Sequence, residues 1–120
     1  MKNYVEEDEM QCPCCGKSKM DKVFMVKLNA AREMSGIPFQ INSGWRCLKH
    51  NEEVGSKSLN HVTGKAADIR CLNSHDRFMM LKALLNVGMQ GIGIGSQYIH
   101  ADTNRETPVI WTYFEPTKKP

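Results

Sequence analysis

The stretch that most constrains this chain is Ser43–Ile69. One run holds Arg46, His50, His61, a glycine turn at Gly64, and Asp68. Between Cys47 and Lys65 it is polar and glycine-containing, which reads as loop with one helical turn over Leu48–Val54. His61 and Asp68 stand seven apart, and His100 follows Asp68 by thirty-two residues, inside Tyr98–Asp102. Histidine and aspartate bind divalent zinc, and a catalytic zinc ion takes three protein ligands with a fourth position open. On this reading the rest of the chain brings two separated segments around one ion. The plain alternative is a capping aspartate and two unrelated histidines, and the spacing alone leaves both open.

The flanking segments supply the scaffold. Asp21 is placed to cap a helix over Lys22–Ser35, with Val23, Val26, Leu28, Ala30, Ala31 and Met34 as its apolar side, Gly36 as its stop and Pro38 blocking continuation. Met20, Met25 and Met34 read as core filler. Ile37–Asn42 alternates and predicts a strand that delivers the chain to Ser43. Ala66–Cys71 predicts a second strand, its small residues suiting the middle of a sheet. Ser74 predicts the cap of a helix running to about Val87, with Phe78, Leu81, Leu84 and Leu85 at helical spacing and His75 exposed in its first turn. Gly91–Ile94 and Tyr98–Asp102 predict two short strands joined at Gly95–Ser96, and Val109–Phe114 a last one. The expectation is α+β: a small, mainly antiparallel sheet with helices packed on one side.

A length of 120 residues suits one domain, taken as residues 1–120, with 1–19 an extended lead-in and 115–120 a frayed tail. Net charge is +3, and no lysine- or arginine-rich run favours nucleic acid as a partner. No apolar run approaches the roughly 18 residues of a membrane span. The first ten residues are acidic and polar, without a secretory signal pattern. Synthesis in the cytoplasm and action as a monomer are therefore expected. Five cysteines without that signal argue against a disulfide framework. Cys12, Cys14 and Cys15 look like half of a zinc ribbon and are candidates for a structural metal. A second knuckle is missing, so Cys47 or Cys71 could complete such a site only through the fold. Reduced thiols in a turn ending at Gly16 are the alternative.

Taken together, several motifs resemble the zinc D-alanyl-D-alanine metallopeptidases, in the short branch common among phage endolysins and bacterial wall hydrolases. They are Ser43–Arg46, His50–Asn51, Val54–Gly55, His61–Gly64, Ala66–Ile69, Tyr98–Asp102 with Arg105, and Trp111. The start at Gln11–Gly16 and the helix ending at Ser35–Pro38 are similar as well. The resemblance covers nearly the whole chain. It implies one catalytic zinc ion held by His61, Asp68 and His100, and a compact fold shared with lysostaphin-type peptidases and the hedgehog signalling domain. It implies a peptidoglycan stem peptide as substrate, cut by carboxypeptidase or endopeptidase action, and release to the wall by a holin-type or other non-classical route.

The resemblance also assigns Arg46 to the substrate carboxylate or the oxyanion, a role a guanidinium's parallel donors suit. Ser58 is expected to bond substrate or orient His61, although the family's serine stands two residues before the histidine and Leu59 stands there in this chain; Asn60 could substitute. Tyr98 is expected at the substrate, and Trp45 and Trp111 could wall the cleft, with Trp111 the better fit to the core. Relatives carry a carboxylate three residues before the last histidine, where this chain has Gln97, which takes no proton at neutral pH. Asp102 is the nearest ionisable residue, sharing a strand face with His100, and could be the base or an orienting partner. His50 and Glu53 are further candidates. Gln97 keeps a second expectation open: a zinc-stabilised peptidoglycan-binding module of the same fold that has lost catalysis.

Overall fold

The local signals act where they stand in the chain. A computed structural model describes residues 5–56 and 58–113. Asp21 caps helix α1 (Lys22–Ser35) by accepting the Phe24 N–H at 2.9 Å, and Gly36 ends it at φ 69°. A residue with a Cβ would lose roughly 1–2 kcal/mol in that left-handed conformation. The buried side of α1 is Phe24, Leu28 and Ala31, with Asn29 and Ser35. This corrects the expected apolar side, because Val23, Val26 and Met34 are more than half exposed. Met34 is therefore not core filler, while Met20 and Met25 are packed as expected. Asn29 is buried because it clamps the lead-in: its Oδ1 accepts the Val5 N–H at 2.6 Å and its Nδ2 donates to the Val5 carbonyl.

Helix α1 packs against α3 (Ser74–Asn86), which contributes Met80, Ala83 and Leu84 to the core. Its cap is Asn73 rather than Ser74: the Asn73 Oδ1 accepts the Asp76 N–H at 2.8 Å. Phe78 and Leu85 point to solvent, so helical spacing alone misassigned them. The short helix α2 is Leu48–Glu53, as the single turn predicted. The lead-in is not simply extended, since Glu7–Met10 form a 3-10 turn.

Among the described residues, five strands form one sheet in the order β1-β2-β4-β3-β5, where β1 is Ile41–Ser43, β2 Ala66–Arg70, β3 Gly91–Ile94, β4 Tyr98–Asp102 and β5 Val109–Thr112. All pairings are antiparallel except β3 with β5. Strand β1 is shorter than the predicted 37–42 span, and Pro38, with no N–H to give, lies outside it. The predicted end of the last strand at Phe114, the tail 115–120 and residues 1–4 of the lead-in lie outside the described residues.

Alternation along β2, β4 and β3 divides the sheet's two faces. Ala67, Ile69, Ile99, Ala101 and Ile92 are buried in one cluster with α1 and α3. The opposite face carries Asp68, Tyr98, His100 and Asp102, and next to them the glycines of β3. The architecture is thus the expected α+β class. Among the described residues no helix is long and apolar enough to cross a membrane.

Candidate metal centre

Asp68 on β2 and His100 on β4 are direct cross-strand partners, so the sheet register brings together residues thirty-two apart. His61 arrives from the loop before β2. That loop turns at Gly64, whose φ is 76° and whose Cα faces the Lys19–Asp21 backbone with no room for a Cβ. The Gly64 carbonyl in turn accepts the Asp21 N–H at 2.9 Å, tying the loop to the start of α1.

Each histidine has one nitrogen committed elsewhere. His61 Nδ1 lies 2.8 Å from the Gly44 carbonyl, which only accepts, so Nδ1 carries the proton. His100 Nε2 lies 2.7 Å from the Asp102 carboxylate and likewise carries its proton. The free lone pairs are then on His61 Nε2 and His100 Nδ1. Both face Asp68 Oδ1, at 3.5 and 3.0 Å. Bond lengths of about 2.0–2.1 Å in a tetrahedral zinc site place ligand atoms about 3.3 Å apart. One carboxylate oxygen and two imidazole nitrogens, already oriented by outer partners, therefore fit a zinc ion.

The supports are themselves built in. Gly44 approaches Met10 so closely that a Cβ would sit 2.6 Å from the Met10 Cα, and the Trp45 N–H donates to the Met10 carbonyl at 2.8 Å. The 3-10 turn thus fixes the carbonyl that orients His61. Asp102 is fully buried. Its carboxylate accepts from His100, from Arg105 at 3.0–3.1 Å and from Asn60 Nδ2 at 3.3 Å. Asn60 Oδ1 accepts from Asn104.

The cluster lies in a cleft of about 290 Å³. Arg46 is at its wall: its Nε donates to Ser43 Oγ, its Nη1 to Asn51 Oδ1, and its Nη2 lies 3.6 Å from Asp68 Oδ2. Tyr98 and Ser58 line the same cleft, and the Ser58 hydroxyl accepts the Asn60 N–H at 3.2 Å. Of the two tryptophans that could wall the cleft, Trp111, the one expected in the core, is the one that does. Trp111 walls the cleft, with its ring 5.4 Å from that of His100 and the Arg105 guanidinium 4.6 Å from its centre. Trp45 is core, with its indole N–H on the Val62 carbonyl. The sequence signal for Trp111 is Gly93, its register partner on β3 and also the partner of His100. Any side chain at Gly93 would occupy the indole's position.

Tyr113, which the sequence reading did not single out, completes the wall, 5.3 Å from Tyr98. Gln97 is exposed and does not line the cleft, and its carbonyl accepts the Cys71 N–H. His50 and Glu53 pair with each other at 3.7 Å, away from the cluster, and His75 is exposed. Of the three cysteines expected to group, Cys12 and Cys15 converge with Cys47, and Cys14 is exposed outside that group.

Burial works against charge in the cluster, and its partners reverse that. Burial would raise Asp68, but in the metal-free chain the imidazoles of His100 and His61 beside it hold it well below the usual carboxylate range. His100 is lowered by burial and raised by Asp102 and Asp68, ending above its ordinary value. Asp102 is raised by burial and lowered by His100 and Arg105, ending low. Burial, with Tyr113 and Asp68 nearby, pushes the Tyr98 phenol up to about 12.

For the metal-free chain these directions give a stability window. Asp68 and Asp102 contribute above the ordinary carboxylate value of 3.8 and lose that contribution as pH falls through their lowered values. His100 contributes fully below 6.5 and loses it as pH rises through its raised value. Zinc requires neutral His100, so its added stabilisation grows as pH rises through that same value. Thermal melts from about pH 3 to about pH 8, with and without zinc, should show a metal-free maximum between the two limbs and a zinc-dependent increment largest at the alkaline end.

An α+β domain presenting two histidines and an aspartate in a cleft with arginine and aromatic walls has the donor set of a catalytic metal site. The family model for M15 peptidases matches residues 3–102. The chain therefore belongs to the M15 peptidases, a family of zinc-dependent metallopeptidases. A comparison with curated proteins gives no match.

Proposed function

We propose that this protein is a zinc peptidase that hydrolyses a peptide bond in the peptidoglycan stem, with His61, Asp68 and His100 holding the ion. The observation that carries the reading is the convergence of their three free ligand atoms in a cleft, with both histidine tautomers set from outside. Zinc, when bound there, supplies Lewis acidity toward water and the scissile carbonyl.

The chain's own groups do the rest. Arg46, held by Ser43, Asn51 and Asp68, presents a guanidinium to a substrate carboxylate or to the negative charge that develops at the carbonyl. Tyr98 stays protonated at neutral pH, so its phenol is available as a hydrogen-bond donor to a peptide in the cleft it lines. Ser58, Asn60, Trp111 and Tyr113 line the cleft in which the peptide would lie. Asp102 acts as a positioning residue, keeping the His100 Nε2 proton in place. Stem peptides are rich in carboxylates, and Arg46 and Arg105 give the cleft matching charge. In a cell this activity suits a phage-type endolysin or wall-remodelling enzyme that reaches the wall by non-classical release.

One observation favours a second reading, a binding module without turnover. Asp68 is the only carboxylate among the described residues lining the cleft, so no free carboxylate stands ready to take a proton. Purified peptidoglycan incubated with zinc-loaded protein decides between them. Turnover releases fragments with new amino and carboxyl ends, whose masses identify the bond; a chelator stops release and zinc restores it. Protein that sediments with peptidoglycan yet releases nothing supports the second reading and removes the first.

A further inference from the structure

The cysteines of the lead-in meet Cys47, three residues beyond the Gly44 whose carbonyl orients His61. Sγ atoms of Cys12, Cys15 and Cys47 all lie within 4.8 Å of one another, and those of Cys12 and Cys47 are 3.7 Å apart. Cys14 stands in the same turn, exposed and outside that trio, with its thiol raised by burial and by Cys47. Cys71, buried elsewhere with its thiol on the Asn73 carbonyl, is not part of the group.

The backbone around these sulfurs has the form of a metal knuckle. Cys12 and Cys15 stand in Cys-x-x-Cys spacing and are followed by Gly16 at φ 71°. The Cys12 N–H donates to the Lys17 carbonyl and the Gly16 N–H to the Cys12 carbonyl, closing a tight turn. The His50 N–H donates to the Cys47 sulfur at 3.4 Å, and backbone N–H groups around Cys12 lower its thiol against the effect of burial. Such donors stabilise sulfur as thiolate, the form that binds metal. Several thiolates this close repel one another, and a divalent cation removes that repulsion. Soft sulfur donors in a four-fold set select zinc or a similar thiophilic ion.

We propose that Cys12, Cys15 and Cys47, with Cys14 as fourth ligand, bind a structural zinc ion separate from the His61–Asp68–His100 centre. The ion clips the turn at residues 10–16 to the segment 44–47. That segment carries the Gly44 carbonyl that orients His61, and Arg46 stands immediately before Cys47. The clip therefore holds a support of the catalytic centre as well as the lead-in.

The test uses the full chain with His61→Ala and His100→Ala, which leaves only the cysteine site. Reduced and loaded with zinc, this variant should retain one equivalent of metal after gel filtration. Cobalt in place of zinc should give the intense near-ultraviolet absorption of thiolate-to-metal charge transfer. Cys71→Ser should change neither result, and Cys47→Ser should lose both. Should Cys47→Ser fail to fold, thiol reactivity of the Cys47-intact variant decides. Cys14 and Cys15 are exposed, so they should react readily with a thiol reagent in the metal-free chain and be protected by zinc. No bound metal, cobalt spectra without the sulfur band, equal thiol reactivity with and without zinc, or a Cys12–Cys47 disulfide in the reduced preparation would each overturn the proposal. Because the variant lacks the histidine ligands, none of these outcomes depends on peptidase activity.

Discussion

Replacing His100 with alanine should abolish hydrolysis while leaving the fold in place. Lewis-acid stabilisation of developing charge amounts to several kcal/mol, and each ~1.4 kcal/mol is tenfold in rate, so kcat/KM should fall by about 10³-fold or more. The fold should survive because the neighbours of His100 keep other partners: Asp102 retains Arg105 and Asn60, and Trp111 retains Arg105. One equivalent of zinc should be lost with the activity, and His61→Ala should behave alike. Metal analysis, circular dichroism and peptide release on the same preparation check the three parts. Activity that survives His100→Ala would falsify the metal mechanism.

What the sequence made legible follows from how local each signal is. The bounds of α1 were readable because Asp21 and Gly36 act on atoms within one turn of themselves. The ligand trio was readable because each ligand sits in a short motif and β2 and β4 have strong strand patterns. The buried side of α1 was not readable, because it is chosen by what packs against the helix. Phe24 and Leu28 face the core, while Val23 and Val26, equally apolar, face solvent. Asn29 is buried for a backbone partner at Val5, twenty-four residues away, which no helical period encodes.

The same contrast applies within the site. Trp111 was assigned to the core on its type, but β5 lies parallel to β3 at the edge of the sheet, and Gly93 leaves its ring a place beside His100. The parallel orientation depends on the connection 103–108, whose course a strand pattern does not contain. Cys47 stands thirty-five residues from Cys12, so only the docking of the lead-in on Gly44 reveals that the thiols converge. Asn60 was visible only as a stand-in for the shifted serine. Its buried bond to Asp102, forty-two residues on, is a product of the fold.

Asp102 gives the second large effect, and the form of that effect separates two roles. If Asp102 holds His100, an asparagine at 102 can still accept the Nε2–H bond through its amide oxygen, whereas alanine cannot. Asp102→Asn should then lose about 10–100-fold in zinc affinity and recover much of its activity when zinc is raised. Asp102→Ala should lose activity and also stability, about 3–5 kcal/mol, because it strands Arg105 and Asn60 beside a buried void. If instead Asp102 moves the proton, asparagine is as inactive as alanine at any zinc concentration, and the acidic limb of the kcat–pH profile disappears in both. The geometry supports holding: both carboxylate oxygens are engaged by cationic or N–H donors, the side chain is fully buried, and Asp102 is absent from the cleft wall. Zinc titrations of the Asp102→Asn variant, followed by activity and by thermal melting, measure the difference directly.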